Sequence, residues 1–189
     1  MRLLSYCVGT TIDGFIAAPD GSYDFFEVGP DVVAFLKSEL PDTLPTHVRG
    51  AWGVDSPTVR YDTVVMGRRT YQPGLDVGVT SPYRHLRQYV VSGDRSLPED
   101  PEVTLVRDDP LALVRALKAE DGLDIWLAGG GVLAGSLLPE IDELVVKRYP
   151  VVAGAGIPVF AGPFSPQVFR PVAGRDLGGG ATVVTYRRG

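Results

Sequence analysis

A short apolar strand, a triple-glycine turn and a helix follow one another between Ile125 and Pro139. The first N–H groups of a helix have no partner within it, and the helix dipole adds partial positive charge, so such ends attract anions. Glycines allow a phosphate to approach closely because they have no Cβ. Gly129, Gly130 and Gly131 therefore predict either a seat for a phosphate-bearing ligand, most simply a dinucleotide, or a purely structural turn.

The chain has a second glycine triplet, Gly178-Gly179-Gly180, which offers an internal comparison. A β-branched run over residues 181–187 follows it, so no helix dipole is available there to bind an anion. We expect a hairpin turn at this second triplet. The ligand-binding prediction therefore depends on the strand-turn-helix context and not on the number of glycines.

Hydrophobic periodicity predicts strands that alternate with helices. Strands are predicted over residues 3–8, 63–66, 88–92, 103–106, 125–128, 142–152, 157–160, 167–172 and 181–187, and helices over 30–40, 110–121 and 131–138. We expect a long loop over 10–21 and an irregular surface excursion, with some helix of its own, over 41–60. This order implies one α/β domain over residues 1–189, with a central, mostly parallel sheet, helices on both faces and an antiparallel C-terminal strand.

Charge and cysteine content exclude several classes of function. The formal net charge of −5 argues against broad nucleic-acid binding, which needs a basic face. The single cysteine, Cys7, rules out a disulfide framework or a cysteine-rich zinc site within one chain, and we expect it to be a small buried hydrophobe. His47 and His85 have no metal-ligand spacing around them and are expected at the surface, so we predict no metal site.

The sequence carries no pattern of a membrane or export segment. No run approaches the roughly 20 apolar residues that a membrane-spanning helix needs. The N-terminal segment is too short and too soon interrupted for a signal peptide. We therefore expect no membrane partner, no nucleic-acid partner and a cytoplasmic location.

Glycine and polar residues follow several predicted strands at their carboxyl ends, where ligands bind in open α/β sheets. Met66 is followed by Gly67-Arg68-Arg69-Thr70, and Val91 is followed by Ser92-Gly93-Asp94-Arg95. Guanidinium groups match phosphate geometry with paired hydrogen bonds, so these ends predict a pocket for a diphosphate and a further phosphate. The alternative is a solvated helix start at Arg68 and Arg69, although a cationic pair there opposes the helix dipole.

Four stretches of the chain resemble the dihydrofolate reductase superfamily, and within it the branch of the C-terminal reductase domain of riboflavin biosynthesis. Residues 11–17, Thr-Ile-Asp-Gly-Phe-Ile-Ala, resemble that branch's Ser/Thr-Leu-Asp-Gly-x-Ile-Ala loop. Residues 65–71 resemble the superfamily's Met-Gly-Arg-x-Thr turn, residues 88–92 the strand that ends in a serine beside the adenosine, and residues 127–131 the glycine-rich turn under the cofactor diphosphate. The order and spacing match over nearly the whole chain.

The resemblance implies an NADPH-dependent reductase with a dihydrofolate reductase-like three-layer fold and an eight-stranded sheet. The residues that would hold the cofactor phosphates are Gly67, Arg68, Arg69 and Thr70, with Arg69 or Arg68 on the 2′-phosphate. The adenosine would be flanked by Ser92 and Arg95, the diphosphate covered by Gly129, Gly130, Gly131, Val132 and Leu133, and the nicotinamide lined by Thr11, Ile16 and Ala17.

The resemblance also suggests candidate catalytic residues. In folate-reducing members a carboxylate early in the first helix grips the pterin ring and assists its protonation, and Asp31 lies close to that place; it also suits a first helical turn without any catalytic role. Asp13 is a second candidate, as a relay through water, although its Asp-Gly turn favours backbone capping. Asp24, Phe25 and Phe35 are candidate substrate contacts.

The expected reaction is hydride transfer to a conjugated C=N or C=O of a flat, small heterocycle related to pterins, pyrimidines or flavins. The deaminase half of the bifunctional enzyme is absent, because the chain has no His-x-Glu followed by Pro-Cys-x-x-Cys. Two alternatives remain: a catalytically silent nucleotide-binding protein of the same fold, and a structural or dimerisation module. Related reductases often pair, so a homodimer is a candidate assembly.

Overall fold

Strands and helices alternate along the computed structural model, which describes all of residues 1–189. The strands are β1 (Leu4–Thr10), β2 (Phe15–Ala17), β3 (Tyr61–Gly67), β4 (Arg87–Val91), β5 (Val103–Val106), β6 (Asp124–Gly129), β7 (Glu143–Arg148), β8 (Ile157–Pro158), β9 (Phe169–Asp176) and β10 (Thr182–Arg188). The helices are α1 (Pro30–Glu39), α2 (Thr46–Ala51), α3 (Arg68–Asp76), α4 (Pro110–Ala119) and α5 (Gly131–Leu137).

Eight strands form the central sheet in the order β5-β4-β3-β6-β1-β7-β10-β9. The pairs from β5 to β7 are parallel, and β10 runs antiparallel to both β7 and β9. The mostly parallel sheet with an antiparallel C-terminal strand is therefore confirmed. The second glycine triplet lies in the turn between β9 and β10, where a hairpin is expected.

Alternation along the strands divides the core into two layers, one on each face of the sheet. On β3, Val64 and Met66 pack into the layer that contains α1 and α3, whereas Val65 packs into the layer of α4 and α5. Side chains of successive strand residues point to opposite faces, so each buried strand supplies both layers. The predicted three-layer arrangement, with helices on both faces, is confirmed.

The ends of several elements differ from their predicted positions for local reasons. β7 ends at Arg148 and not at residue 152, because Pro150 has no N–H with which to continue the ladder. The helix predicted to stop before Pro139 passes from α5 into a 3-10 turn over Leu138–Glu140, where the proline occupies the first turn. β8 lies outside the central sheet and pairs with β2, a short strand within the predicted long loop.

The excursion over 41–60 contains α2 and a 3-10 turn over Pro41–Thr43. The fully buried Asp42 carboxylate accepts hydrogen bonds from the N–H groups of Val59, Arg60 and Tyr61, at 2.7 to 3.2 Å. His85, expected at the surface, is half-buried: its Nε2 lies 3.0 Å from the Asp42 carbonyl oxygen, and burial lowers the pKa of its ring. The excursion is therefore anchored at the start of β3.

None of the helices has both the length and the apolar content required to cross a membrane.

Candidate cofactor and substrate cleft

A cleft of about 1180 Å³ lies at the carboxyl ends of β1, β3, β4, β6 and β7. This is the edge at which the sequence places the glycine-rich and arginine-rich turns. Predicted site residues that line the cleft are Ile16, Ala17, Asp24, Gly67, Arg68, Arg69, Thr70, Gly130, Gly131, Val132 and Leu133. The structure therefore brings together the β3–α3 turn, the β6–α5 turn and the first loop.

The β3–α3 and β6–α5 turns are in direct contact, although more than 60 residues of sequence separate them. A Cβ built on Gly67 would lie 3.5 Å from the Gly129 carbonyl oxygen and 3.7 Å from the Gly130 nitrogen. A Cβ on Gly130 would lie 3.8 Å from Thr70 Oγ1 and from Ile16 Cδ1. Backbone N–H groups at the start of α3 and α5 thus surround one space.

The three glycines of the first triplet serve different purposes. Gly129 has φ of 107°, a left-handed conformation that side-chain-bearing residues rarely adopt. Gly131 permits close packing, because a Cβ there would lie 2.1 Å from the Pro158 carbonyl oxygen. Gly130 is the member whose missing Cβ leaves space between Thr70 and Ile16 within the cleft. The structural interpretation of the triplet therefore applies to Gly129 and Gly131, and the ligand-binding interpretation applies to Gly130.

Of the two arginines of the β3–α3 turn, one forms an ion pair within the chain and the other does not. Arg68 donates from Nε to the Asp94 carboxylate at 2.8 Å. Hydrogen bonds from Ser96, together with this arginine, lower the pKa of Asp94 to about 2. Arg69 is exposed and belongs to none of the ion pairs of the chain. Arg69 is therefore the arginine with its full positive charge available at this end of the cleft.

Thr11 and Asp13 form hydrogen bonds that hold the backbone of the first loop. The Thr11 hydroxyl donates to Asp13 at 2.6 Å and accepts from the Phe15 N–H at 2.9 Å. The Asp13 carboxylate also accepts from the N–H groups of Ala153 and Gly154, at 3.1 and 2.7 Å. The Thr11 hydrogen bond and these N–H groups lower the Asp13 pKa to about 2. Neither residue lines the cleft, so the geometry favours the capping role of Asp13 and gives no support to a proton relay.

Asp31, the other candidate acid, faces a different space. It lines a smaller cavity of about 320 Å³ together with Phe25, Leu177, Gly178 and Gly179. A Cβ on Gly178 would lie 2.3 Å from Asp31 Oδ2, so the carboxylate sits against the β9–β10 hairpin. Tyr149 lines both cavities. Asp31, in the first turn of α1, and Phe25, in the loop before α1, thus line the smaller cavity and not the large cleft.

Four more predicted site residues, Gly129, Ser92, Arg95 and Phe35, also lie outside the cleft lining. The Ser92 hydroxyl accepts from the Asp94 N–H at 3.1 Å and shapes the turn after β4, and Arg95 is exposed beyond it. Phe35 is 7% exposed within the core, with the Arg175 guanidinium 4.7 Å from its ring centroid. Phe35 is therefore a core residue of α1 and not a contact of the large cleft.

Aromatic side chains other than the predicted substrate contacts Phe25 and Phe35 surround the other end of the cleft. Phe26 packs on Tyr149 with ring centroids 4.7 Å apart, and Tyr83 meets Trp126 edge-on at 5.0 Å. Gly9 leaves room for the Tyr149 ring, because a Cβ there would lie 3.2 Å from it. Such walls suit a flat ring system. Tyr149 lies just beyond the end of β7, whereas Phe26 and Tyr83 lie in loops and Trp126 lies within β6.

Apart from the two arginines and the tyrosines, the ionisable residues that line the cleft are Cys7, Asp24, His47 and Lys147. Lys147, on β7 opposite Gly9, is half-buried and lines the cleft. Cys7, on β1, lines it as well; burial raises the pKa of its thiol, and the positive charge of Lys147 partly offsets that effect. The cleft therefore has a phosphate-compatible end with Arg69 and an aromatic end with one lysine.

Comparisons with known proteins agree with this geometry. The family model of the RibD C-terminal domain matches residues 3–180. The uncharacterized Bacillus subtilis protein YwjB is 31% identical over 155 residues, which cover 81% of this chain and 79% of YwjB. YyaP, a second uncharacterized protein of the same bacterium, is 25% identical over 166 residues, covering 81% of this chain and 77% of YyaP.

Solved structures share the architecture. A protein from Shewanella sp. PV-4 assigned to riboflavin biosynthesis superposes with a TM-score of 0.71 at 26% identity, covering 100% of this chain and 99% of the other. The deaminase/reductase of Thermotoga maritima and the RibD of Acinetobacter baumannii give TM-scores of 0.64 and 0.66, at 17% and 16% identity. All of this chain aligns, but only 57% and 58% of those longer proteins do. The fold is therefore dihydrofolate reductase-like, and the chain belongs to the RibD C-terminal domain family.

Proposed function

We propose that this protein is an NADPH-dependent reductase that transfers a hydride to a flat heterocycle related to pterins, pyrimidines or flavins. The observation that carries the proposal is the division of one cleft into two chemically different ends. One end joins two glycine turns beside an unpaired arginine, and the other end is walled by aromatic rings. Membership of a family of riboflavin-biosynthesis reductases supports the same reaction class.

The residues at the phosphate-compatible end fit the proposed cofactor. Gly130 leaves open the space that a Cβ would fill, and N–H groups at the start of α3 face the same region. We assign the diphosphate to Gly130, Val132 and Leu133, and the 2′-phosphate to Arg69. Ile16 and Ala17 would line the nicotinamide. When bound, NADPH supplies the hydride.

The chain itself contributes orientation and exclusion of water. Phe26, Tyr83, Trp126 and Tyr149 place flat surfaces around the substrate position, which restricts how a planar ring can lie. A site with these apolar walls also displaces water from the reacting atoms. Asp24 lines the cleft but is exposed, so we place it at the substrate entrance.

Titration with NADPH and NADH, followed by thermal shift, tests the cofactor assignment. We expect stabilisation by both nucleotides, with tighter binding of NADPH because Arg69 meets the 2′-phosphate. Oxidation of NADPH in the presence of a pterin, pyrimidine or flavin would establish the reaction class. Binding without oxidation by any of these would favour the catalytically silent alternative, and failure to bind either nucleotide would contradict the proposal.

We also propose that two copies of this chain associate through β9. This edge strand is exposed along nearly its whole length, and Val172, on the strand, and Val168, just before it, are 57% and 67% exposed. Two identical edge strands can pair about a two-fold axis, since the same surface then serves both copies. Light scattering should report a dimer for the wild type and a monomer for Val172→Lys.

A further inference from the structure

Tyr149 follows the last residue of β7 and lies in the wall of the large cleft. Its N–H donates to the Thr10 carbonyl oxygen at 2.9 Å, which fixes the residue to the end of β1. A Cβ on Gly9 would lie 3.2 Å from Cε2 of the ring and 3.9 Å from Cδ2, so the hydroxyl end of the ring is the end nearer to Gly9. Gly9 lines the large cleft and not the smaller cavity, so the hydroxyl lies on the side of the large cleft.

The Tyr149 hydroxyl differs from those of the other buried tyrosines. Tyr149 is 5% exposed, and the three tyrosines that are still more deeply buried each donate a hydrogen bond within the chain; these are Tyr6, Tyr61 and Tyr71. No hydrogen bond from the chain reaches the Tyr149 hydroxyl, and burial raises its pKa, so it keeps its proton at neutral pH. The two polar side-chain atoms that are sealed in the core without a partner are Trp126 Nε1 and Thr182 Oγ1. The Tyr149 hydroxyl is therefore a free donor that a molecule in the cleft can reach, and such a donor indicates an acceptor from outside the chain.

We propose that the Tyr149 hydroxyl is the acid of the reductase and protonates the nitrogen or oxygen of the C=N or C=O bond that is reduced. The carbon of this bond gains a hydride, with its electron pair, from NADPH, which leaves as NADP⁺. The π electrons of the bond move to the nitrogen or oxygen, which takes the proton from Tyr149 Oη, and the tyrosinate regains a proton from water. This inference rests on the proposed function, because it supplies the proton which that reaction requires.

Other titratable groups lie on each element that packs around Tyr149. Cys7 on β1 and Lys147 on β7 line the large cleft, whereas Glu27 and Asp31 line the smaller cavity. The two carboxylates are therefore on the side away from the hydroxyl. Cys7 and Lys147 are the rival donors, and Cys7→Ala and Lys147→Met test them separately.

The test compares Tyr149→Phe with Tyr23→Phe, which also removes one hydroxyl from the lining of the cleft and keeps the ring. NADPH oxidation is followed with a pterin, a pyrimidine and a flavin as acceptors. We expect Tyr149→Phe to lower kcat roughly 100-fold or more and to change KM much less, because a positioned acid acts in the transition state. Tyr23→Phe should keep the wild-type turnover, and NADPH should stabilise Tyr149→Phe against heat as well as it stabilises the wild type.

Difluorotyrosine in place of Tyr149 keeps the hydroxyl and makes it more acidic. The hydroxyl must carry its proton in order to donate it, so kcat falls as the pH rises through its pKa, and this fall should move to lower pH in the fluorinated protein. Cys7→Ala and Lys147→Met should leave the fall where it is in the wild type.

Unchanged kcat in Tyr149→Phe, an equal loss in Tyr23→Phe, or a pH profile that fluorination does not move would each overturn the assignment of Tyr149 alone. A wild-type protein that binds NADPH but oxidises it with none of the three acceptors would overturn the proposed function, and the assignment with it.

Discussion

Gly67 and Gly129 lie against each other at the edge of the cleft: a Cβ on Gly67 would lie 3.5 Å from the Gly129 carbonyl oxygen. The contact joins the end of β3 to the end of β6, two neighbouring strands of the sheet. Each turn resembles a phosphate-binding loop only weakly when taken alone. Their contact, which is made through backbone atoms, makes them one site.

The two neighbouring glycines of the first triplet should respond differently to alanine. Gly131→Ala should destabilise the fold by about 1–3 kcal/mol, because its Cβ would meet the Pro158 carbonyl oxygen at 2.1 Å. Gly130→Ala should leave stability nearly unchanged and weaken NADPH binding, because its Cβ enters the cleft. Urea unfolding and nucleotide titration separate the two effects. A normal NADPH affinity in a stable Gly130→Ala protein would contradict the diphosphate assignment.

Cofactor preference should depend on Arg69 more than on Arg68. Arg69→Ala should lower NADPH affinity roughly 10-fold or more and leave NADH affinity nearly unchanged, since a charge-assisted hydrogen bond contributes about 1.5–3 kcal/mol. Asp94→Asn should raise the preference for NADPH, because it releases Arg68 from its ion pair. Arg95→Ala, which removes an exposed arginine outside the cleft, serves as the matched control. Equal losses in the Arg69 and Arg95 variants would refute the assignment.

Asp13 should matter for stability in a pH-dependent way. Its pKa is about 2 in the folded chain against 3.8 for the free side chain, so ionised Asp13 stabilises the fold above pH 3.8. This contribution is lost as the pH falls from 3.8 through about 2. The difference in unfolding free energy between wild type and Asp13→Asn should therefore be constant near neutral pH and shrink in that acid range. A difference that persists unchanged at pH 2 would contradict this role.

Asp31→Asn should leave the turnover number and KM of the reductase unchanged, because Asp31 lies in the smaller cavity on the far side of Tyr149. Steady-state kinetics with an active substrate make the measurement. Asp176→Asn, which alters another carboxylate on the same face of the β9–β10 turn, is a suitable comparison. A large loss of turnover in Asp31→Asn alone would place this carboxylate back in the mechanism and contradict its observed position.

The helices and turns that depend on capping residues and hydrophobic periodicity could be predicted from the sequence. Asp109 caps α4 by accepting from the Ala112 N–H at 2.9 Å, with Pro110 at the first position, as the residue types indicate. The glycine and arginine turns also meet as predicted, because the carboxyl ends of parallel strands lie at the same edge of the sheet. Periodicity and capping act over a few residues, so one chain segment contains all the information needed.

The substrate end could not be predicted in the same way. Trp126 and Lys147 occupy strand positions that look like ordinary core and edge residues, and only the register of β6, β1 and β7 brings them to one wall. Asp31 is the converse case, in which a sequence signal was misleading. Its place in α1 is typical of a catalytic carboxylate, but the packing of α1 points it toward Gly178. Both results depend on long-range packing, which leaves no short-range signal.

The small pairing of β2 with β8 has a mechanical consequence for ligand binding. Residues 157–161 pack closely against α5, because Gly131 and Gly135 have no side chains to keep them apart. The same segment pairs with β2, the strand that contains Ile16. The wall at Ile16 and the floor at Gly130 are therefore parts of one rigid unit with a preset gap. Backbone packing within the chain thus positions Ile16 and Gly130 on either side of this gap, which lowers the ordering cost of binding a nucleotide there.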